Sequence, residues 1–296
     1  MKLSLEDVRL VLEKTKSITV FSGSLTLKNI LVFDFPRLLK YAAFEIVVGE
    51  LRLDQVKIFC PQTVAIYLKK SVLSLVESAV VGECDLAIYA EESCLHINDS
   101  VISSSSNPRK LLHLYESKFD AKNSRFASNG GGIFSSQTRG TVEDCELTGS
   151  LDPTHLSGPF AEDEGLKLVA SSNFTLRRST VRNFPYLIHS KSSGSFVYAL
   201  SCSFSNCFAA FDFISNSNGV VENCQMGGLM PYVATFVNNV EGEILFRHNR
   251  LPPGAQPSFQ KDSKSSLPRH DFRNVDTTVR DNIFEEKPTR SRAEQV

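Results

Sequence analysis

The stretch Gly194 to Met226, GSFVYALSCSFSNCFAAFDFISNSNGVVENCQM, decides the fold. It holds one unit twice, as Val197-Tyr-Ala-Leu-Ser-Cys-Ser-Phe204 and Gly219-Val-Val-Glu-Asn-Cys-Gln-Met226. The matching cysteines, Cys202 and Cys224, stand 22 residues apart. Written as positions, the unit is apolar, x, apolar, x, x, small or amide, x, apolar. Working outward, copies begin at Leu25, Leu51, Leu73, Leu95, Phe119, Gly140, Phe174, Val197, Gly219, Ile244 and Thr277. The steps between them are 26, 22, 22, 24, 21, 34, 23, 22, 25 and 33 residues. A recurring period in this range marks a stacked array in which each unit buries its apolar face only against its neighbours. Apolar residues at positions one and three give a strand with side chains alternating between faces.

The same pattern occurs in leucine-rich repeats, which place a further leucine three residues before position one. Here those places hold Ser22, Val48, Lys70, Glu92, Glu116, Gln137, Ser171, Gly194, Asn216, Glu241 and Asn274, and only Val48 fits. Several coils carry another short β-rich run ahead of the unit: Val64-Ala-Ile-Tyr67, Leu86-Ala-Ile-Tyr89, Tyr186-Leu-Ile-His189 and Phe211-Asp-Phe-Ile214. Short strands separated by Gly, Ser and Asn predict an all-β, single-stranded right-handed parallel β-helix solenoid of about eleven coils. On these units the chain resembles the pectate-lyase-like superfamily of right-handed parallel β-helices, over residues 18–284. The resemblance implies a fold shared by carbohydrate-active enzymes and by non-enzymatic scaffolds, such as F-box adaptors with similar repeats.

The sixth position is where the chain bends. It runs Ile30, Val56, Ser78, Ser100, Ser124, Cys145, Ser179, Cys202, Cys224, Asn249 and Asn282. From Ser78 onward the reading is a structural ladder. Serine or asparagine bonds along the stack, and cysteine fills it as a small hydrophobe. The competing reading of Cys145, Cys202 and Cys224 is a metal or redox cluster. The 7 cysteines lack metal-ligand spacing or a C-x-x-C pair, so no metal and no cofactor is expected.

The chain divides into an N-terminal cap over 1–17, the β-helix over 18–284 and a disordered tail over 285–296. Residues 4–16 are expected to form a short helix, capped by Ser4 with Asp7 three places on, and sharing Leu5, Val8 and Leu12 on one face. Two interruptions, Thr148–Gly165 and Pro252–Phe272, carry the Pro, Gly, Ser and charge of loops. Insertions in solenoids collect on one face and often make the binding site.

Formal net charge is −1 over 296 residues, which points to no broad field for nucleic acid or membrane. No apolar run is long enough to span a bilayer. Charges in Met1–Arg9 occupy the place where a signal peptide needs its apolar core, so a cytoplasmic or nuclear setting is expected, or a secreted one if the chain belongs to a larger polypeptide. The sequons Asn98-Asp-Ser100 and Asn173-Phe-Thr175 point the second way. Asn129-Gly-Gly-Gly-Ile133 lacks the Lys-Ser/Thr and helix of a phosphate loop. With Phe126 it resembles the F-x-x-N and G-G-A-I motifs of chlamydial polymorphic adhesins.

Position four points outward and reads Lys28, Asp54, Val76, Asn98, Lys122, Glu143, Arg177, Leu200, Glu222, Arg247 and Arg280. Coils in register would set Glu143 between Lys122 and Arg177, and Glu222 beside Arg247. Such pairing lowers a carboxylate pKa and suits a general acid badly. Asp120, at outward position two, beside Glu143 is the single candidate carboxylate pair. Lys122 lies between them, so no catalytic residue is expected. The polygalacturonase motifs N-T-D, D-D, G-H-G and R-I-K are missing. The sequence therefore predicts a non-catalytic scaffold that binds a protein or glycan. The candidate contacts are His155, Glu162, Asp163 and Glu164 on the first interruption, with Tyr198, Arg177 and Arg247 on the outer sheet. The alternatives are a polysaccharide lyase or glycoside hydrolase, and a fragment of a surface adhesin.

Overall fold

The structure, a computed structural model, describes residues 2–12, 17–34, 42–61, 64–106, 110–151, 163–237, 244–252, 256–260, 277–280 and 283–284. They form a parallel β-solenoid. Each coil gives one strand to each of three sheets, and every pairing joins a strand to its counterpart in the next coil. The first sheet runs from Lys2–Glu6 through Ser24–Lys28 to Thr277–Arg280 and has 12 strands. The second runs from Arg9–Leu12 to Ile283–Phe284, also with 12 strands, and the third from Ile18–Phe21 to Gln256–Gln260 with 11. Register follows the repeat: Leu73 sits beside Leu51 on one side and Leu95 on the other.

The alternation within each unit makes the core. Leu25, Leu27, Leu51, Leu53, Leu73 and Leu75 all point inward and are buried, each contributing roughly 1.5–3 kcal/mol. Midway along the axis phenylalanine replaces leucine, and Phe119 and Phe174 pack with ring centroids 6.1 Å apart. Gly140 lies between their strands. A Cβ there would fall 2.3 Å from the Phe174 ring, which fills the space the missing side chain leaves.

Two bends recur along the coils with left-handed backbone, at non-glycine residues except for Gly194. One joins the first sheet to the second, at Asn29 (φ 48), Gln55 (φ 55), Asp99 (φ 51) and their equivalents. The other joins the third sheet to the first, at Ser22 (φ 49), Val48 (φ 53), Lys70 (φ 50) and theirs. Each bend keeps its backbone donor bonded to the next coil, as in Asn29 N to Asp54 O at 2.9 Å and Lys70 N to Glu91 O at 2.9 Å. That pairing offsets the steric cost of the conformation, about 1–2 kcal/mol per residue.

A small side chain follows each bend. After the first bend, Ser78 N donates to Ser100 Oγ (3.1 Å), Ser100 N to Ser124 Oγ (3.1 Å) and Ser124 N to Cys145 Sγ (3.4 Å). Cys145 N donates to Ser179 Oγ (3.1 Å), Cys202 N to Cys224 Sγ (3.4 Å) and Cys224 N to Asn249 Oδ1 (2.9 Å). Asn282 lies outside the described residues. After the second bend runs another stack, which the sequence reading did not identify. Ser71 N donates to Ser93 Oγ (3.0 Å), Ser93 N to Ser117 Oγ (3.1 Å), Ser117 N to Thr138 Oγ1 (3.2 Å) and Thr138 N to Ser172 Oγ (3.3 Å).

The expected N-terminal helix is not there. Lys2–Glu6 and Arg9–Leu12 are strands, and Leu3 pairs with Leu25. Leu3-Ser-Leu-Glu-Asp-Val-Arg-Leu10 is itself a copy of the unit, with Asp7 (φ 56) at its bend. The edge of the next coil rewards strand pairing over the five residues Lys2–Glu6, and this outweighs a helical spacing of three apolar residues. Residues 13–16 lie outside the described set. The second interruption is also not one loop, because Gln256–Gln260 is a strand of the third sheet.

Candidate functional site on the third sheet

Connections between the first and second sheets are short throughout, whereas the long ones border the third sheet: 35–43, 105–111 and 149–163 lead into it from the second sheet, and 261–276 leads out of it to the first. The third sheet's outer face is therefore the one bordered by variable segments. One outward row crosses it in strict register: Tyr67, Tyr89, His113, Phe134, Lys167, His189, Asp212 and Thr235.

The first half of the row is aromatic. Tyr67 and Tyr89 stack at 5.3 Å, His113 meets Tyr89 edge-on at 4.9 Å, and Phe134 meets His113 at 4.7 Å. Lys110 Nζ lies 3.5 Å above the Phe134 ring, a cation–π contact. Burial, and then the Lys110 charge, push the His113 pKa down to about 4, so this imidazole is neutral at pH 7. Burial, and then the Glu91 carboxylate, hold Tyr67 above the ordinary phenol range, so its hydroxyl keeps its proton.

The second half is polar and buried. Glu164, at the start of strand Glu164–Val169, takes an ion pair from Lys167 Nζ at 2.7 Å. His189 Nδ1 lies 3.0 Å from Asp212 Oδ2 and 3.7 Å from Glu164 Oε1, with the three side chains only 7–11% exposed. The short contact with Asp212 is off-line, and neither ring nitrogen has an aligned hydrogen bond. Thr235 Oγ1 donates to Asp212 Oδ1 at 2.5 Å. Tyr186 meets the His189 ring edge-on at 6.2 Å and continues into an aromatic run with Phe208 and Tyr232, edge-on at 5.8 and 5.1 Å. Burial, followed by the Asp212 and Glu164 charges, raises the Tyr186 pKa. Two carboxylates, an ammonium and an imidazole so far from water persist only because each faces an opposite charge or a donor. Chemically the row offers ring edges, hydroxyls and fixed polar groups in line along the axis. Among the described residues no three His, Cys, Asp or Glu side chains converge as metal ligands.

A family model described as "Right handed beta helix region" matches residues 64–226, more than half of the chain. This chain belongs to that right-handed β-helix family. No curated protein matches it. The match spans the whole aromatic half of the row and continues through His189 and Asp212.

Within this β-helix the residues singled out from sequence fall on different faces. Asp163 and Glu164 sit at the entry to the third sheet, and Glu164 is part of the cluster. His155 and Glu162 lie outside the described residues. Tyr198, Arg177 and Arg247 point outward from the first sheet, a different face. There Arg247 Nη2 pairs with Glu222 Oε2 at 3.0 Å. Glu143 lies in register between Lys122 and Arg177, but the guanidinium that grips it belongs to Arg178, which also holds Asp144 at 2.8 Å. That contact keeps the Asp144 carboxyl below its usual range. Asp120 sits opposite Thr141, with His96 Nδ1 3.6 Å from its Oδ2. The residues expected from sequence to bear chemistry, Asp120 and Glu143, stand on the outer face of the first sheet and not on the third. The signal was present: the fourth residue of the quoted runs ending in Tyr67, Tyr89 and His189 is the outward one.

Proposed function

We propose that this β-helix is a non-catalytic binding scaffold that holds an extended glycan along the outer face of its third sheet. The observation that carries the reading is the accessible part of the row, from Tyr67 through Tyr89, His113 and Phe134 to Lys167. These five side chains are spaced by about 4.8 Å per coil, so this part is about 19 Å long. Aromatic edges and protonated hydroxyls at such spacing suit a polymer that is apolar on its ring faces and polar at its rim. On the first sheet the comparable rows cancel their charges between coils, as in Lys28 with Glu6 and Arg247 with Glu222. Both carboxylates of the third-sheet cluster are committed, Glu164 to Lys167 and Asp212 to Thr235. A general acid needs a carboxyl free to hold and release a proton.

The second reading, a lyase or hydrolase, is favoured by His189 lying between Glu164 and Asp212. A glycan array read beside a reducing-end assay separates the two. The scaffold reading expects binding without release of sugar ends, with Tyr89→Ala abolishing the binding. Release of ends that stops in Asp212→Asn would make the protein an enzyme.

A further inference from the structure

Over its first five strands the second sheet turns an apolar face outward. One outward row runs Val11, Phe33, Phe59, Val81 and Ser103 in register, and the parallel row runs Arg9, Leu31, Lys57, Ala79 and Val101. Val11 is 51% and Leu31 47% exposed, although both belong to regular strands. Phe33 and Phe59 stack at 4.9 Å, with Arg9 4.4 Å and Lys57 4.8 Å from their ring centroids. Neither row carries a carboxylate, and neither cation has an ion-pair partner among the described residues. The first sheet in the same coils presents Ser4, Thr26, Arg52, Ser74 and His96 instead. Contiguous exposed apolar surface marks an interaction site; here the two cations lie on the rings themselves, while the carboxylates stand at the borders of the rows, Asp7 and Glu77 bonded to Asn29 and Gln55 and Glu83 at the end of its strand.

We propose that this face docks an amphipathic helix with acidic flanks, supplied by a partner protein. The backbone of the sheet is already paired on both sides of every strand from Leu31–Asp34 to Val101–Ser104, so a segment lying on the face gains no main-chain bonds from it. The occupant must satisfy its own backbone, which a helix does. Five strands at about 4.8 Å span about 19 Å, the length of about 13 helical residues at 1.5 Å each. The apolar side of the helix would cover the Phe33 and Phe59 edges, and its carboxylates would meet Arg9 and Lys57. This surface is separate from the third-sheet row, so either proposal stands if the other fails.

The test is fluorescence anisotropy of the whole protein with labelled synthetic peptides of about 14 residues. One has leucine on one helical face and glutamate on the other; its counterpart has lysine for glutamate. The acidic peptide is expected to bind, with affinity falling as salt rises. The basic peptide is expected to bind at least tenfold more weakly. Phe59→Thr should weaken acidic-peptide binding at least tenfold. Arg9→Glu with Lys57→Glu should reverse the preference, which a misfolded variant would not do. Absence of binding, equal affinity for both peptides, or loss of neither in the variants overturns the proposal. Binding only to phosphatidylserine vesicles, or self-association of the protein through Phe59 in sedimentation, overturns it in favour of a membrane or a second copy.

Discussion

His113 shows how much one residue's neighbours decide. It stands in an exposed-looking run, yet Tyr89, Phe134 and Lys110 close around it and depress its pKa to about 4. The unfolded chain, with an ordinary imidazole near pH 6.5, takes up the proton first. Its contribution to stability is therefore complete above about pH 6.5 and is lost as pH falls toward 4. With discounting for its partial exposure, the loss should be about 1–2 kcal/mol. Urea unfolding at pH 7 and pH 4.5 checks this: wild type should lose more stability than His113→Gln by that margin, and equal losses would contradict it. At this scale the sequence was read well where the period fixed the face and poorly where the contact depended on side-chain reach. Register makes Arg177 the neighbour of Glu143, but Arg178, one residue further on at the bend, takes it. Position along the strand predicts which Cβ atoms are neighbours, not which guanidinium arrives.

The bend is the element that makes this chain a coil, and it comes in two similar forms. One was legible, because Ser, Cys and Asn recur at position six. The other was equally visible in Gly49, Ser71, Ser93, Ser117, Thr138 and Ser172, two places before position one. The neighbouring place, three before position one, is where a leucine-rich repeat keeps a leucine, but here it holds the residue in left-handed backbone, such as Lys70 or Glu92. The two stacks should be worth similar amounts. Ser100→Ala leaves Ser78 N without its acceptor, and Ser93→Ala does the same to Ser71 N. Each should cost about 1–3 kcal/mol in urea unfolding. Ser74→Ala, on the outer face, should stay within about 0.5 kcal/mol. A cost for Ser100→Ala alone would show that the second stack is incidental. The first coil teaches the reverse lesson. Leu5, Val8 and Leu12 have helical spacing, but Leu3 and Leu5 also alternate, and only the edge of the next coil decides between the two.

As a whole the molecule is a one-dimensional stack, so each outer face carries rows whose character changes slowly along the axis. The first sheet is polar and charge-paired, the second begins apolar, and the third runs from aromatic to buried polar. The fold was legible because periodicity is a property of the chain. The third-sheet site was not, since its parts come from strands about two dozen residues apart and lie in the run ahead of the searched unit. Glu164, His189 and Asp212 are buried together beside Tyr186, which meets the His189 ring edge-on, an arrangement that no single repeat announces. The claim that this face holds a glycan is tested most directly by affinity electrophoresis in gels containing neutral and acidic polysaccharides. Wild type and Ser74→Ala should be retarded equally in at least one gel while Tyr89→Ala runs freely; the same mobility for all three proteins in every gel would contradict the account.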